Sequence, residues 1–150
     1  MKMLRHAAIV AASLAFVFAS PAAVAQSDPF TGGDYVEVSS ITVDDGHYLD
    51  YANFLTDQWR KRQEYAKQQG WITGYEVLAN VNKRPGEPDF ILVVRFKSLP
   101  DGVEGAKRDA AMSDYFKQTD VQMNAASGER AKYRTVLGSQ LWQVMVFKKP

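Results

Sequence analysis

The chain has no cysteine among its 150 residues. Disulfide staples, thiol chemistry, thiolate metal sites and a lipid-modified cysteine are all excluded by that one absence. Histidine is scarce as well, with His6 and His47 the only two. So few imidazoles, with no thiolate beside them, cannot complete a tetrahedral nitrogen–sulfur metal site within one subunit. Neither sign of charge dominates, since 18 Lys and Arg stand against 17 Asp and Glu. Bulk electrostatics therefore gives no reason to expect a nucleic acid or an anionic membrane as partner. Beyond residue 25 no apolar run is long enough to anchor the chain in a bilayer. There is no phosphate-binding glycine loop, no Ser-His-Asp order and no paired-carboxylate motif, so nothing in the sequence fixes a reaction or decides whether the chain is an enzyme.

What is present starts at the N-terminus. Lys2 and Arg5 precede an apolar run from Ala7 to Ala19, and Ala23-Val24-Ala25 closes it with small side chains. A positive end, an apolar segment too short to span a bilayer comfortably and small residues suited to a peptidase's subsites predict a secretory signal peptide over residues 1–25. Cleavage before Gln26 removes Lys2 and Arg5, taking the basic count from 18 to 16 against 17 acidic residues and the net charge from +1 to −1. The expected product is a periplasmic or secreted protein. It has a loose Gly- and Pro-containing leader at residues 26–34 and one compact domain over residues 35–150.

Periodicity supplies the elements. Tyr35 to Val43 reads as a strand, broken by Asp44-Asp45-Gly46, which offers a helix start. A long helix follows from about His47 to Gln69, with Tyr48, Ala52, Leu55, Trp59 and Ala66 recurring at helical spacing, Tyr51 and Phe54 off that stripe, and Gly70 ending the run. Trp71 to Asn82 reads as a second strand with Trp71, Thr73, Tyr75, Val77, Ala79 and Val81 on one face. A turn at residues 83–88 joins it to a third strand from Asp89 to Lys97, and so short a link implies an antiparallel hairpin. Ser98 to Asp101 has the spacing of a helix cap, and a helix runs on to about Gln118. Thr119 to Gln122 repeats the capping pattern before a further helical piece toward Tyr133, Gly138 ends it, and Ser139 to Lys148 is the last strand. Strand, helix, strand, strand, helix, strand is the split βαβ order of a ferredoxin-like α+β fold. It predicts a four-stranded antiparallel sheet with its helices on one face.

The strands are too apolar for such a sheet to be wet on its other face. Phe90, Leu92, Val94 and Phe96 fill one face of the third strand, and Ile91 and Val93 lie on the other with only Arg95 polar. The last strand sets Leu141, Met145 and Phe147 against Trp142, Val144 and Val146. Leaving such side chains in water forfeits roughly 1.5–3 kcal/mol for each large one that could be buried. The expectation is a homodimer packed sheet against sheet.

The element order, the doubly apolar strands and the length together resemble the dimeric α/β-barrel superfamily over about Tyr35 to Lys148. The runs from Tyr51 to Lys61 and from Gly70 to Leu78 resemble uncharacterised exported bacterial members. The superfamily includes cofactor-free monooxygenases, haem enzymes, small lactone-forming enzymes and stress-response dimers, so the resemblance restricts fold more than function. It implies a helix–sheet cleft of the kind that holds apolar ligands in several members. Haem-binding members carry their histidine on the second helical region, and residues 103–138 here contain none, which counts against haem. No cofactor and no metal is expected.

Candidate residues follow from these readings. His47 could act as a base, though its place beside Asp44-Asp45-Gly46 suits a helix start equally well. Asp44, Asp45 and Asp50 read as a solvated cap rather than an oxygen-only metal site. Tyr51, Trp59, Tyr75 and Trp142 are candidate ligand contacts among a wider aromatic set, which would otherwise be core or interface. Arg95, Glu76 and Glu37 interrupt apolar strand faces and demand partners, either each other across the sheet or the polar end of a pocket, where Arg95 would orient an oxygenated ligand. Asn53 is added through the resemblance, as an amide that could hold a carbonyl or dioxygen-derived oxygen. Arg60-Lys61-Arg62 reads as helix surface. The leading expectation is an exported dimer binding a small apolar or aromatic compound. The alternatives are a cofactor-independent monooxygenase-like enzyme, with Asn53, His47, Tyr75 and Trp59 around the substrate, and a structural or stress-related dimer with a filled cleft.

Overall fold

The computed structural model describes residues 28–149; the expected signal peptide at 1–25 lies outside the described residues. Four strands, β1 (Phe30–Val43), β2 (Gly74–Ala79), β3 (Phe90–Phe96) and β4 (Arg134–Phe147), form one sheet in the order β2-β3-β1-β4. All three pairings are antiparallel. A helical rod of α1 (Tyr48–Phe54), a π-helical turn (Leu55–Trp59) and α2 (Arg60–Gln68) links β1 to β2, and α3 (Gly102–Phe116) and α4 (Asp120–Arg130) link β3 to β4. The chain has the ferredoxin-like α+β fold expected from its element order.

Differences from the sequence reading have local causes. The first strand begins at Phe30, inside the expected loose leader. Phe30 packs on Phe147 with ring centroids 4.9 Å apart, and the Lys148 amide donates to the Pro29 carbonyl at 2.8 Å. Its Gly32-Gly33 pair marks a bulge rather than slack, because the β1–β4 register shifts between Gly32 and Tyr35. A Cβ at Gly33 would lie 3.1 Å from the Val144 carbonyl. The last strand likewise starts at Arg134, so Gly138 sits within it, opposite Ser40 and beside a second register shift. The second strand is shorter than expected, since Trp71 closes the helix end by donating to the Ala66 carbonyl at 3.0 Å. Helix α3 is capped by Asp101, which accepts from the Glu104 amide, rather than by Ser98. The Thr119–Gln122 capping box forms as expected.

The core gathers at one end of the helix–sheet interface, where Ile41, Phe90 and Leu92 of the sheet meet Tyr51 and Leu55 of the rod, with Val43, Phe54 and Tyr133 packed around them. The buried stripe of the rod therefore runs through Tyr51 and Leu55 to Ala66, and Tyr48 is 59% exposed. Tyr51 and Phe54, expected off the stripe, belong to it. Two successive steps of four residues drift about 40° each around an α-helix. The π-helical turn absorbs that drift between Leu55 and Trp59, and so keeps Tyr51, Leu55 and Trp59 on one face.

Leu55→Ala should cost about 2–5 kcal/mol in urea unfolding, whereas Tyr48→Ala should cost about 1 kcal/mol or less. Burial pushes the Tyr51 phenol from 10.0 up to about 12, against the opposing pull of Arg134 and Arg130. The unfolded chain ionises this phenol first, so its contribution to stability is complete below pH 10 and is lost as pH rises toward 12. Tyr51→Phe should accordingly flatten the alkaline fall in stability, read as the urea midpoint against pH.

Candidate functional site

The other end of the helix–sheet interface is open. The helix-facing row of β1 is apolar at Ile41 and Val43 but polar at Ser39 and Glu37. Where the row turns polar, a cleft of about 520 Å³ replaces the core. Leu92, Val94 and Phe96 of β3 make its apolar floor, Trp59 and Ala66 come from the rod, and Trp71 stands at one end. Helix α3 supplies Arg108, Asp109 and Met112 from the far side.

The cleft stays open because α3 leans on the rod instead of the sheet. No residue of α3 is buried. It docks through aromatic rings, with Tyr65 stacked on Tyr115 at 4.1 Å and Tyr65 meeting Trp71 edge-on at 5.6 Å. Arg108 lies over the Trp71 ring at 5.5 Å and is held by Glu104 at 2.8 Å.

The polar edge is organised across two strands. Ser139 of β4 donates its hydroxyl to Glu37 at 3.1 Å and sits 3.1 Å from the Ser39 hydroxyl. Glu37 and Ser39 of the sheet, with Ser139 behind them, thus give the cleft a polar edge, while the Gln63 amide and the indoles of Trp59 and Trp71 line it from the rod and its end. Such an arrangement suits a compact ligand with an aromatic or apolar body and a few oxygens or hydrogen-bond donors.

The candidates from sequence fall in different places. Trp59 lines the cleft. Tyr75 meets Trp59 edge-on at 5.4 Å and donates its hydroxyl to Glu64; that hydrogen bond, with burial second, raises its phenol above the ordinary value. Tyr51 is core, 1% exposed, and does not line the cleft. Arg95 lies on the opposite sheet face, where it pairs with Glu76 at 3.0 Å. That cross-strand pairing is one of the two outcomes expected from sequence, and it turns Arg95 away from the cleft. Trp142, paired with Val36, shares that outer face and is 57% exposed. Asn53 is exposed and lines a separate depression of about 510 Å³ between the rod and α4, beside Asp50, Asp57 and Glu129. His47 precedes α1, with Nδ1 2.8 Å from Asp50 and its ring stacked on Tyr133 at 5.2 Å. The structure brings Trp59 and Tyr75 together and leaves Asn53, His47, Arg95 and Trp142 elsewhere.

Sequence reasoning passed over Ser39, Gln63, Arg108, Asp109 and Met112. The one available signal was on β1, where Glu37 and Ser39 both fall on the period-two row that also carries Ile41 and Val43.

No family model and no curated protein matches the chain. Among solved structures it is similar to HapK from Hahella chejuensis, at 8% identity and a TM-score of 0.45, over 77% of this chain and 97% of that one. It is also similar to a nipsnap family protein with unknown function from Agrobacterium tumefaciens str. C58, at 14% identity and a TM-score of 0.43, over 77% of this chain and 90% of the other. The fold assignment itself rests on strand order and pairing.

Glu37→Val puts an apolar β-branched side chain where the helix-facing row is now charged. It should raise stability by about 1 kcal/mol in urea unfolding, at the expense of the cleft's polar edge.

Proposed function

We propose that the protein is an exported homodimer that holds a small apolar or aromatic compound in the helix–sheet cleft. The observation that carries this reading is the cleft itself, where two indoles line an apolar β3 floor that is bordered along the sheet by a hydrogen-bonded acid–hydroxyl edge. Catalysis is not part of the proposal, because Asn53 and His47 lie away from Trp59.

Dimerisation is supported by the outer sheet face. Leu78, Trp142, Val144 and Val146 are each between 43% and 57% exposed on it. The helix-facing side of β4 is uncovered too, with Leu141 52% and Phe147 76% exposed. A lone chain leaves both faces of this edge strand wet, which is the condition a second copy relieves. The Glu76–Arg95 pair sits among these residues and would fix the register of two such faces. Export is supported by the basic, apolar and small-residue order of residues 1–25.

The test is native mass spectrometry of the protein recovered from the periplasm of an expressing bacterium. The expected species is a dimer of chains beginning at Gln26, carrying a retained small molecule. Val38→Lys, which places a charge on the outer face, should weaken the dimer by about a hundredfold or more. A wild-type chain that stays monomeric at high concentration overturns the dimer. For the ligand, Trp142→Phe leaves Trp59 and Trp71 as the only indoles. Their emission should then respond to an apolar fluorescent probe such as anilinonaphthalene sulfonate, and an unresponsive spectrum removes the binding reading.

A further inference from the structure

A second, smaller cleft of about 220 Å³ lies between the helical rod and α4, and two guanidinium groups, Arg62 and Arg130, line it. Phe54 and Trp59 form its aromatic walls, and Gln118 and Met123 close its edge. No carboxylate lines it. Among the described residues, none of Arg62, Arg130 and Arg134 has a carboxylate within the 4 Å of an ion pair, although Asp57 and Glu129 border the neighbouring depression that Arg130 also touches.

The donors here are poorly used. Arg62 gives one N–H to the Gln118 side-chain Oε1 at 2.7 Å and another to the Met123 sulfur at 3.0 Å, a weak acceptor for a charged donor. Arg130 lies over the Phe54 ring at 4.0 Å, and its Nε is buried with no protein partner. Behind it Arg134 gives one N–H to the Ser127 hydroxyl at 3.2 Å, and its own Nε is equally unpartnered. Burial first, and then Arg134 and Arg62, push Arg130 below its ordinary pKa, partly opposed by Tyr133 and Tyr51. Burial lowers Arg62 as well. Gathering like charges without a counter-ion at a partly buried site is unfavourable unless an anion shares it.

We propose that this cleft is an anion site, in which Arg62 and Arg130 hold a carboxylate carried on a compact aromatic body that lies against Phe54 and Trp59. The guanidinium fork matches a planar carboxylate, and the ring walls favour an aromatic body over a bare inorganic anion. This site is separate from the larger cleft, and Trp59 is the one residue that borders both.

The experiment is titration of the ¹⁵N-labelled protein, expressed from the full chain, with sodium benzoate, sodium phosphate and neutral benzyl alcohol. The resonances followed are the indole N–H signals of Trp59 and Trp71. Benzoate should shift Trp59 while leaving Trp71 in place, and phosphate and benzyl alcohol should bind at least about tenfold more weakly. Arg130→Gln and, as an independent variant, Arg62→Gln should each weaken benzoate at least about tenfold, with far-UV circular dichroism unchanged. The proposal is overturned if benzyl alcohol or phosphate equals benzoate, or if either folded variant keeps the wild-type response. A benzoate response at Trp71 alone overturns it too, by assigning binding to the larger cleft.

Discussion

Strand β1, one of the two inner strands, constrains everything else, because it faces the helices along a single row of alternate residues that changes character part-way. Ile41 and Val43 make one end of that row apolar, and the rod closes on it through Tyr51 and Leu55. Glu37 and Ser39 make the other end polar. Burying an acid or a hydroxyl against helices without full pairing costs more than packing returns. Ser139 on β4 satisfies these groups only along the sheet. The helices accordingly close over half of the sheet and stand clear of the other half. The core and the cleft are two consequences of one change of residue type within a strand.

The rod serves both halves by departing from regular α-helix. Tyr51 and Leu55 point into the core, and Trp59, one more step of four along, must point at the boundary between core and cleft. The π-helical turn holds that phase, with the Thr56 hydroxyl donating to the Ala52 carbonyl at 2.9 Å inside it. Trp59 consequently contributes to the core, to the larger cleft and to the arginine-lined cleft. A ligand in either cleft meets a side chain whose position is set by the packed half of the molecule. Such positioning favours precision over adaptation.

Much of the fold was legible in the sequence because its signals were local and independent. Turn residues bounded the strands, period-two rows marked β3, and the Thr119–Gln122 box marked a helix start. Errors fell where tertiary contact overrides local chemistry. Gly32-Gly33 and Gly138 read as breakers, yet each sits in a long strand at a bulge whose pairing depends on residues a hundred positions away. A uniform α-helical period places Tyr51 off the stripe, and the π-helical turn brings it on. The larger cleft was half legible. Trp59 and the polar interruption at Glu37 were visible, but Arg108, Asp109 and Met112 arrive on a helix whose docking depends on a Tyr65–Tyr115 stack that no pattern announces. Arg95 misled for a related reason, since alternation told that its face differed from that of Val94 but not which face the helices would cover.

The two faces of the sheet also explain how charge is distributed. On the outer face the ion pair Glu76–Arg95 stands among the apolar residues, half exposed on each side and satisfied within the chain. An unpaired charge among apolar side chains carries a desolvation cost that pairing offsets. The helical layer treats Arg62, Arg130 and Arg134 differently: among the described residues, Arg62 and Arg134 give hydrogen bonds to neutral acceptors, and Arg130 lies over the Phe54 ring. The two patterns differ in kind: the outer-face pair is electrostatically closed within the chain, whereas the guanidinium cluster has no carboxylate within 4 Å among the described residues.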